Sequence, residues 1–380
     1  MNRRIIWLLL AIALTLNACS SAAPSIKPEK TTAYRTNIQP GMGSPQNYYR
    51  SATHSGVFQK PGELELAVEF WRKTYTAWHR SEVAFHDNRY LDVIYGVMLL
   101  PGDVDESLTS VQKEMVNQRR DFWKAQLFVL ESKLRYGVPL DANDRQLVAK
   151  LESNGRQLNS VLNGAAERVR SQRGIRELFK HGLEISRLYD QQFRKIFRAA
   201  GLPEDLAYLP HVESSFQPAA KSTSGALGMW QFTKAAAQTF MPAANRFDQR
   251  LDPYVSAIGA ARYLGYAYRK FGDCPTAITS FNHGIGGMKR AQDQVGRDFV
   301  RIVQTYASPT FGFASRNYYA QFLAAREIAS NPMQYFPSGL QYEYPLDFKA
   351  KILPMERHTV IGNGKGEPAE STVRLNGELP

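Results

Sequence analysis

Apolar side chains recur at three- and four-residue steps through most of the chain, the period of helices that bury one face. Leu64, Ala67, Val68, Trp71, Tyr75 and Trp78 begin the series, and the pattern predicts a helix from Glu63. The stripe Trp71/Tyr75/Trp78 reads as core packing rather than as a sugar platform. A second helix is expected over about 88–100, stopping before Pro101-Gly102, and a third over about 106–136 with Val111, Met115, Phe122, Leu127 and Leu130. Shorter ones near 144–153 and 156–170 precede a segment at about 175–200 that carries Phe179, Leu183, Phe193 and Phe197 at helical spacing. Gly201-Leu202-Pro203 then punctuates the chain. A new helix is expected there, with Pro203 near its first turn and Glu204 and Asp205 at the positive end of its dipole. Further helices are predicted at about 233–241, 253–271, 274–282, 297–306 and 315–329. No strand-like alternation breaks the series, so the predicted fold class is all-α from about 63 to 330. Periodicity ends near Asn331; Tyr342 to Pro354 allows a short strand, and the last 25 residues are polar and Gly-rich.

The N-terminus has a different pattern. Arg3 and Arg4 precede a twelve-residue apolar stretch, Ile5 to Leu16, too short for a membrane span and the size of a signal-peptide core. Leu16-Asn17-Ala18-Cys19 resembles the lipobox of bacterial lipoproteins. That resemblance implies cleavage before Cys19, lipidation of its thiol and new amine, and stable anchoring by two or more acyl chains. Ser20 in place of Asp implies the periplasmic face of the outer membrane. Residues 19–61, rich in Ser, Thr, Pro, Gly and Asn, read as a tether with a reach of roughly 30–40 Å. The expected organisation is a signal peptide at 1–18, the tether at 19–61, a helical region of unassigned role at 62–174, a second helical domain at 175–332 and an irregular tail at 333–380.

Composition narrows the function classes. Of 380 residues 43% are hydrophobic, enough for a core in one large or two modest domains. Two cysteines exclude a disulfide scaffold and a cysteine-rich zinc module. With Cys19 lipidated, Cys274 is left as a lone thiol, read as a small buried apolar residue. The histidines show no compact ligand spacing, so no metal is expected, and Gly284-Ile285-Gly286-Gly287 lacks the strand and lysine of a phosphate loop, so no cofactor is expected. The formal charge of +12, +10 once Arg3 and Arg4 are removed, suits an anionic partner. No basic-aromatic motif points to nucleic acid. Peptidoglycan, with carboxylates on its stem peptides, fits the compartment; a solvated basic surface is the alternative.

Chemistry concentrates between Gly201 and Gly284. Glu213 lies among Leu209, Val212 and Phe216. A carboxyl in apolar surroundings has its pKa raised, and a neutral Glu at physiological pH is what a general acid requires. Trp230 and Gln231 pair a flat apolar face with an amide, and Asn282 adds another amide before Gly284. His211, two residues from Glu213, reads as a surface histidine.

Together these elements resemble the lysozyme-like catalytic domain of family 1 lytic transglycosylases, over about 175–330 and most strongly at 201–232. Glu213-Ser214 matches the family's E-S, Gly228-Met229-Trp230-Gln231 its G-x-x-Q, and Ser280-Phe281-Asn282-His283-Gly284 its A-Y-N-x-G. Arg316-Asn317-Tyr318 supplies the later aromatic, with Tyr319 adjacent. Ser280-Phe281 departs from Ala-Tyr and removes a hydroxyl. The resemblance implies a peptidoglycan lytic transglycosylase with Glu213 as general acid and then base, and Ser222, Met229, Gln231, Asn282 and Tyr318 as substrate-binding residues. It implies glycan strands as substrate and 1,6-anhydro products. No Asp or Glu occurs between Glu213 and Asp248, which favours a one-carboxylate course over a hydrolase. A muramidase on the same fold and a non-catalytic glycan-binding lipoprotein remain the alternatives. His358-Thr359-Val360 begins like a LysM wall-binding module, but the tail is too short to complete one.

Overall fold

The computed structural model describes residues 56–105, 107–242 and 248–343. Cys19, most of the tether and nearly all of the segment expected to allow a strand at 342–354 lie outside them. Among the described residues, no helix is long and apolar enough to cross a membrane.

The chain enters through helix α1 (Glu65–Thr76), which buries Val68, Phe70, Trp71 and Tyr75. Strands β1 (Glu82–Asp87) and β2 (Ile94–Leu99) follow, then helices α2 (Ser110–Arg135), α3 (Ala142–Leu151), α4 (Leu158–Leu162) and α5 (Ala165–Arg168), and strand β3 (Val169–Arg173). The three strands form an antiparallel sheet in the order β2-β1-β3. Phe85 lies opposite Gly96 and Ser171, and His86 opposite Ile94 and Arg170. Val83 and Phe85 face the helices of this unit and share a core with Val116, Leu127, Leu130, Leu147 and Val169. A capping box of Thr109 and Gln112 starts α2, and the Asp87–Arg168 ion pair (2.9 Å) ties β1 to the end of α5.

The molecule is mainly helical, as expected, but the predicted helix over 88–100 is replaced by a turn and β2, and the predicted helix over 156–170 breaks into α4, α5 and the start of β3. The run from Ile94 to Leu99 is short, and its β-branched and aromatic residues fit a pleated surface better than a helix. Gly96 decides the matter. A Cβ there would lie 2.9 Å from the Trp123 ring of α2, so the glycine is needed for sheet-on-helix contact and would weaken a helix.

After β3 come α6 (Arg176–Ser186), α7 (Asp190–Ala199), α8 (Leu209–Glu213), α9 (Lys234–Phe240), α10 (Pro253–Phe271), α11 (Cys274–His283), α12 (Ile285–Val295), α13 (Phe299–Thr305), α14 (Phe313–Ser330) and α15 (Pro332–Tyr335). They share one hydrophobic core with α1. Helix α14 packs against α1, α8 and α11. Asp205, just before α8, joins Arg194 of α7 (3.0 Å) to Arg326 of α14 (2.7 Å). Helix α12 is absent from the sequence reading because its start is glycine-rich. Gly287 is there for packing: a Cβ would meet the His283 ring at 2.5 Å. Cys274 is partly buried at the start of α11, and burial pushes its thiol up to about 12.

The sheet unit is an insertion between α1 and α6, closed by backbone hydrogen bonds from Ile175 to Thr74 (3.1 Å) and from Arg176 to Trp78 (3.2 Å). At this closure a Cβ on Gly174 would lie 2.2 Å from the Trp78 carbonyl oxygen. Gly174→Ala is therefore expected to cost about 3 kcal/mol or more, whereas Gly62→Ala, with open space around it, costs little. Denaturant midpoints of the two variants check this.

Candidate active site

Glu213 is the last residue of α8, held in place by buried Leu206, Ala207, Leu209 and Pro210. The chain then turns sharply. Ser215 (φ 50°) and Phe216 (φ 60°) are left-handed, a costly conformation for side-chain-bearing residues. The turn is fixed by hydrogen bonds from the Ser214 and Phe216 amides to the Pro210 carbonyl (3.0 and 3.1 Å). Helix α6 approaches it so closely that a Cβ on Gly182 would lie 2.7 Å from the Ser215 oxygen.

The loop 220–232 closes over this turn. Ser214 Oγ donates to the Met229 carbonyl (2.8 Å). Gln231 is itself left-handed (φ 49°), and its side-chain Nε2 donates to the carbonyls of Ala220 (3.1 Å) and Gly228 (2.8 Å). Gly228 (φ 79°) has no room for a side chain: a Cβ would lie 1.7 Å from the Arg250 carbonyl oxygen. Ser222 Oγ accepts from the Ala226 amide (2.9 Å). Arg250, which the sequence reading did not single out, donates to the Gly225 and Phe232 carbonyls (3.0 and 3.2 Å) and pairs with Asp248. Such a chelating arginine has no local signature, since its partners are carbonyls 18 and 25 residues away.

Helix α14 brings Tyr318 across the fold, and its Oη donates to Glu213 Oε1. The neighbouring Tyr319 points elsewhere and donates to the Gln59 carbonyl (2.8 Å). Successive helical side chains diverge by about 100°, so only one of the pair can face the carboxylate. Asn282 is exposed at the end of α11, with Oδ1 accepting from Ser315 Oγ of α14 (2.7 Å). Phe281, in place of the expected tyrosine, packs edge-on to Phe232 and Tyr263 (5.7 and 5.1 Å). Tyr263 Oη donates to the Ser280 carbonyl (2.5 Å).

Three sequence expectations change. Trp230 is fully buried against Phe193 and Phe197, so it offers no face to a sugar. The Met229 side chain is buried too, and only its carbonyl meets the turn, accepting from Ser214 Oγ. His211 is a core histidine rather than a surface one, stacked on Phe179 (5.1 Å) and beside Phe216 (4.4 Å), with both ring nitrogens unpartnered. Tyr75 of α1, read as core, is buried but also borders the site: burial and the charge of Glu213 both raise its pKa.

Burial pushes the Glu213 carboxyl up to about 7, against the Tyr318 hydrogen bond, which favours the ionised form. Burial also pulls His211 down to about 3, so this ring carries no charge near neutrality and does not draw Glu213 back down. Among the described residues, no second carboxylate and no cation contributes to the shift of Glu213. The arrangement is a single carboxyl poised to give a proton and take one near pH 7.

The transglycosylase SLT domain model matches residues 193–299, a span that holds Glu213, Ser222, Met229, Gln231 and Asn282 and ends before Tyr318. The chain is 32% identical over 161 residues to the peptidoglycan transglycosylase gp16 of Escherichia phage T7, covering 40% of this chain and 11% of that one. It is 37% identical over 167 residues to a putative tributyltin chloride resistance protein of Alteromonas sp. (strain M-1), covering 43% and 76%. It is 26% identical over 137 residues to the membrane-bound lytic murein transglycosylase D of Escherichia coli (strain K12), covering 35% and 30%. The chain thus spans about a tenth of the phage protein and under a third of the Escherichia coli one.

The raised pKa makes a signed prediction. A folded-state carboxyl near 7 against an ordinary value of 4.5 binds more protons folded than unfolded between those limits. Its contribution to stability is therefore full below about pH 4.5 and is lost as pH rises through about 7. Glu213→Gln is expected to lack that loss, so the melting-temperature difference, wild type minus variant, should fall steadily from pH 4.5 to 8; a flat difference would show that Glu213 is not desolvated.

Proposed function

The chain belongs to the transglycosylase SLT family, and on that premise we propose that it is a peptidoglycan lytic transglycosylase. It cleaves the β-1,4 bond between N-acetylmuramic acid and N-acetylglucosamine without water. The observation that carries this reading is the Glu213 carboxyl, held near pH 7 by burial with the Tyr318 hydroxyl upon it and, among the described residues, no second carboxylate acting on it.

In this mechanism Glu213 gives its proton to the glycosidic oxygen as the bond from that oxygen to the muramyl C1 breaks. The positive charge at C1 is relieved by the ring oxygen or by the substrate's own N-acetyl group. The ionised Glu213 then takes the proton of the muramyl C6 hydroxyl, and that oxygen bonds to C1. The product is a 1,6-anhydro end, and the carboxyl returns to its starting state. Desolvation favours the first step, since a carboxyl near 7 is largely protonated in slightly acid surroundings. The Tyr318 hydroxyl stabilises the carboxylate formed between the two steps. A hydrolase would place a second carboxylate across the bond to activate water or form a covalent intermediate.

Asn282, exposed beside Ser315, binds the sugar, whereas Ser222, Met229 and Gln231 act by shaping the loop that seats Glu213. Residues 175–332, completed by α1, form the catalytic body. We further infer that the protein works in the cell envelope, anchored through a lipidated Cys19 to the periplasmic face of the outer membrane, with the 19–61 tether reaching toward the wall. Similarity to proteins named membrane-bound lytic murein transglycosylases supports an envelope location.

Mass spectrometry of soluble products from purified peptidoglycan tests the reading. Anhydromuropeptides are expected from wild type, with a rate loss of about 10²–10⁴-fold in Glu213→Gln. Reducing-end products from wild type would instead identify a muramidase, and no release by folded protein would favour a binding lipoprotein. Tyr318→Phe removes the bond that favours the carboxylate, so the pKa of Glu213 should rise further and the pH–rate profile move to higher pH, with a reduced maximum.

A further inference from the structure

We propose that Arg170 of the inserted sheet unit, seated on Phe313, binds a carboxylate of the peptide carried by the glycan strand. This rests on the proposed function for its substrate and adds a peptide-reading wall to the glycan site.

Arg170 lies on β3 opposite His86, and its guanidinium sits 4.6 Å from the centre of the Phe313 ring. Phe313 is the first residue of α14, the helix that carries Ser315 to Asn282 and Tyr318 to Glu213. Five residues of helix separate Phe313 from Tyr318, a rise of about 7.5 Å. The two side chains also point about 140° apart around the helix, and Trp71 bridges the gap, 5.9 Å from Phe313 and 5.9 Å from Tyr75, the tyrosine that feels the charge of Glu213. Four or five residues of extended peptide, at about 3.3–3.6 Å each, cover that longer path from a muramyl residue at Glu213 to Arg170.

The surroundings of Arg170 lack an anion. Among the described residues it forms no ion pair; burial, and after it another guanidinium, Arg120 of α2, hold its pKa below the usual arginine value. Arg120 likewise has no carboxylate partner, only the Asn117 amide oxygen (2.8 Å). His86, whose ring stands 5.5 Å from Phe313, is pulled down to about 4 by burial and stays neutral; its Nε2 is buried without a partner. Two cations thus act on one another with no carboxylate pairing either among the described residues, and Arg170, partly desolvated by its packing, keeps solvent access. Arginines that hold the site's scaffold together are saturated by contrast: Arg194, Arg198, Arg250 and Arg326 all pair with carboxylates. A planar guanidinium backed by an aromatic ring is held flat with its outer edge free, the geometry that takes a carboxylate on two parallel hydrogen bonds. Stem peptides bring carboxylates; the bare glycan brings only those of its lactyl groups when the peptide is gone.

The test measures binding and turnover separately. Fluorescence anisotropy on the Glu213→Gln protein would use three probes: peptide-bearing glycan, the same glycan stripped by an amidase, and peptide-bearing glycan with its carboxylates converted to amides. Adding Arg170→Ala is expected to weaken the first about tenfold, Arg170→Lys to weaken it less, and both to lower the ratio of peptide-bearing to stripped-strand affinity. On the Glu213→Gln protein, the amidated probe should bind about tenfold more weakly than the native one. In otherwise wild-type protein, Arg170→Ala should raise KM on peptide-bearing strands with kcat little changed. An equal loss on peptide-bearing and stripped strands, or no loss on either, overturns the proposal. Should Arg170→Ala fail to fold, unchanged binding of the amidated probe overturns it equally. If wild type releases no anhydro product, the proposed reaction fails, yet the binding ratios still decide the role of Arg170.

Discussion

The hydrogen bond from Tyr318 to Glu213 joins residues 105 apart in the chain and sets the chemistry of the site. Burial alone would leave a carboxyl reluctant to lose its proton, and a hydroxyl donor alone would leave one ionised at every physiological pH. Each effect opposes the other, and the balance lies near pH 7. The balance exists only while α14 and α8 keep their relative height. Asp205 enforces that from one side, clamped between Arg194 and Arg326, with its carboxyl held below its ordinary value by those two cations despite burial. Arg72 enforces it from the other side, pairing α1 with Glu327 near the far end of α14 (3.0 Å). These pairs are partly exposed and contribute little stability singly; their value is positional.

Backbone strain is concentrated at the same place. Of the four non-glycine residues with positive φ among those described, Ser215, Phe216 and Gln231 lie in the turn and loop around Glu213. Each conformation costs of order 1–3 kcal/mol and persists only if its neighbours over-determine it. Here they do. Phe216 is pinned in the core between His211 and Phe193, Gln231 by its two carbonyl contacts, and the whole loop by Arg250. The strained turn lets the end of α8 present Glu213 while the following residues leave the site at once.

This division explains what could be read from sequence. The helices with a sustained apolar stripe, such as α1, α10 and α14, were legible because packing and periodicity agree along their whole length. The motif residues were legible in order but not in role. Glu213 and Tyr318 meet, whereas Gln231 spends its amide on the loop and Trp230 vanishes into the core. Donor and acceptor assignments depend on a fold that spacing does not encode. The sheet was illegible for a related reason: β1 is covered on both faces, so it shows no alternation, and Gly96 is explained only by Trp123 on another element. His211 misled because a histidine with no partner for either nitrogen is an uncommon core residue.

The inserted unit follows from the same geometry. Its two ends leave and rejoin the catalytic core at adjacent points, joined by the bonds of Ile175 and Arg176 to the end of α1. That end of α1 carries Tyr75, which feels the charge of Glu213. A unit rooted there cannot lie far from the carboxyl. The pleat of β3 then decides which side chains look inward: residues two apart share a face, so Arg170 turns toward Phe313 while Val169 joins the unit's own core. A register slip of one residue would exchange them, burying a guanidinium and exposing a valine. The pairing of His86 with Arg170, fixed by the burial of Val83 and Phe85 on the opposite face, is therefore what aims a guanidinium rather than an aliphatic side chain at the first residue of α14.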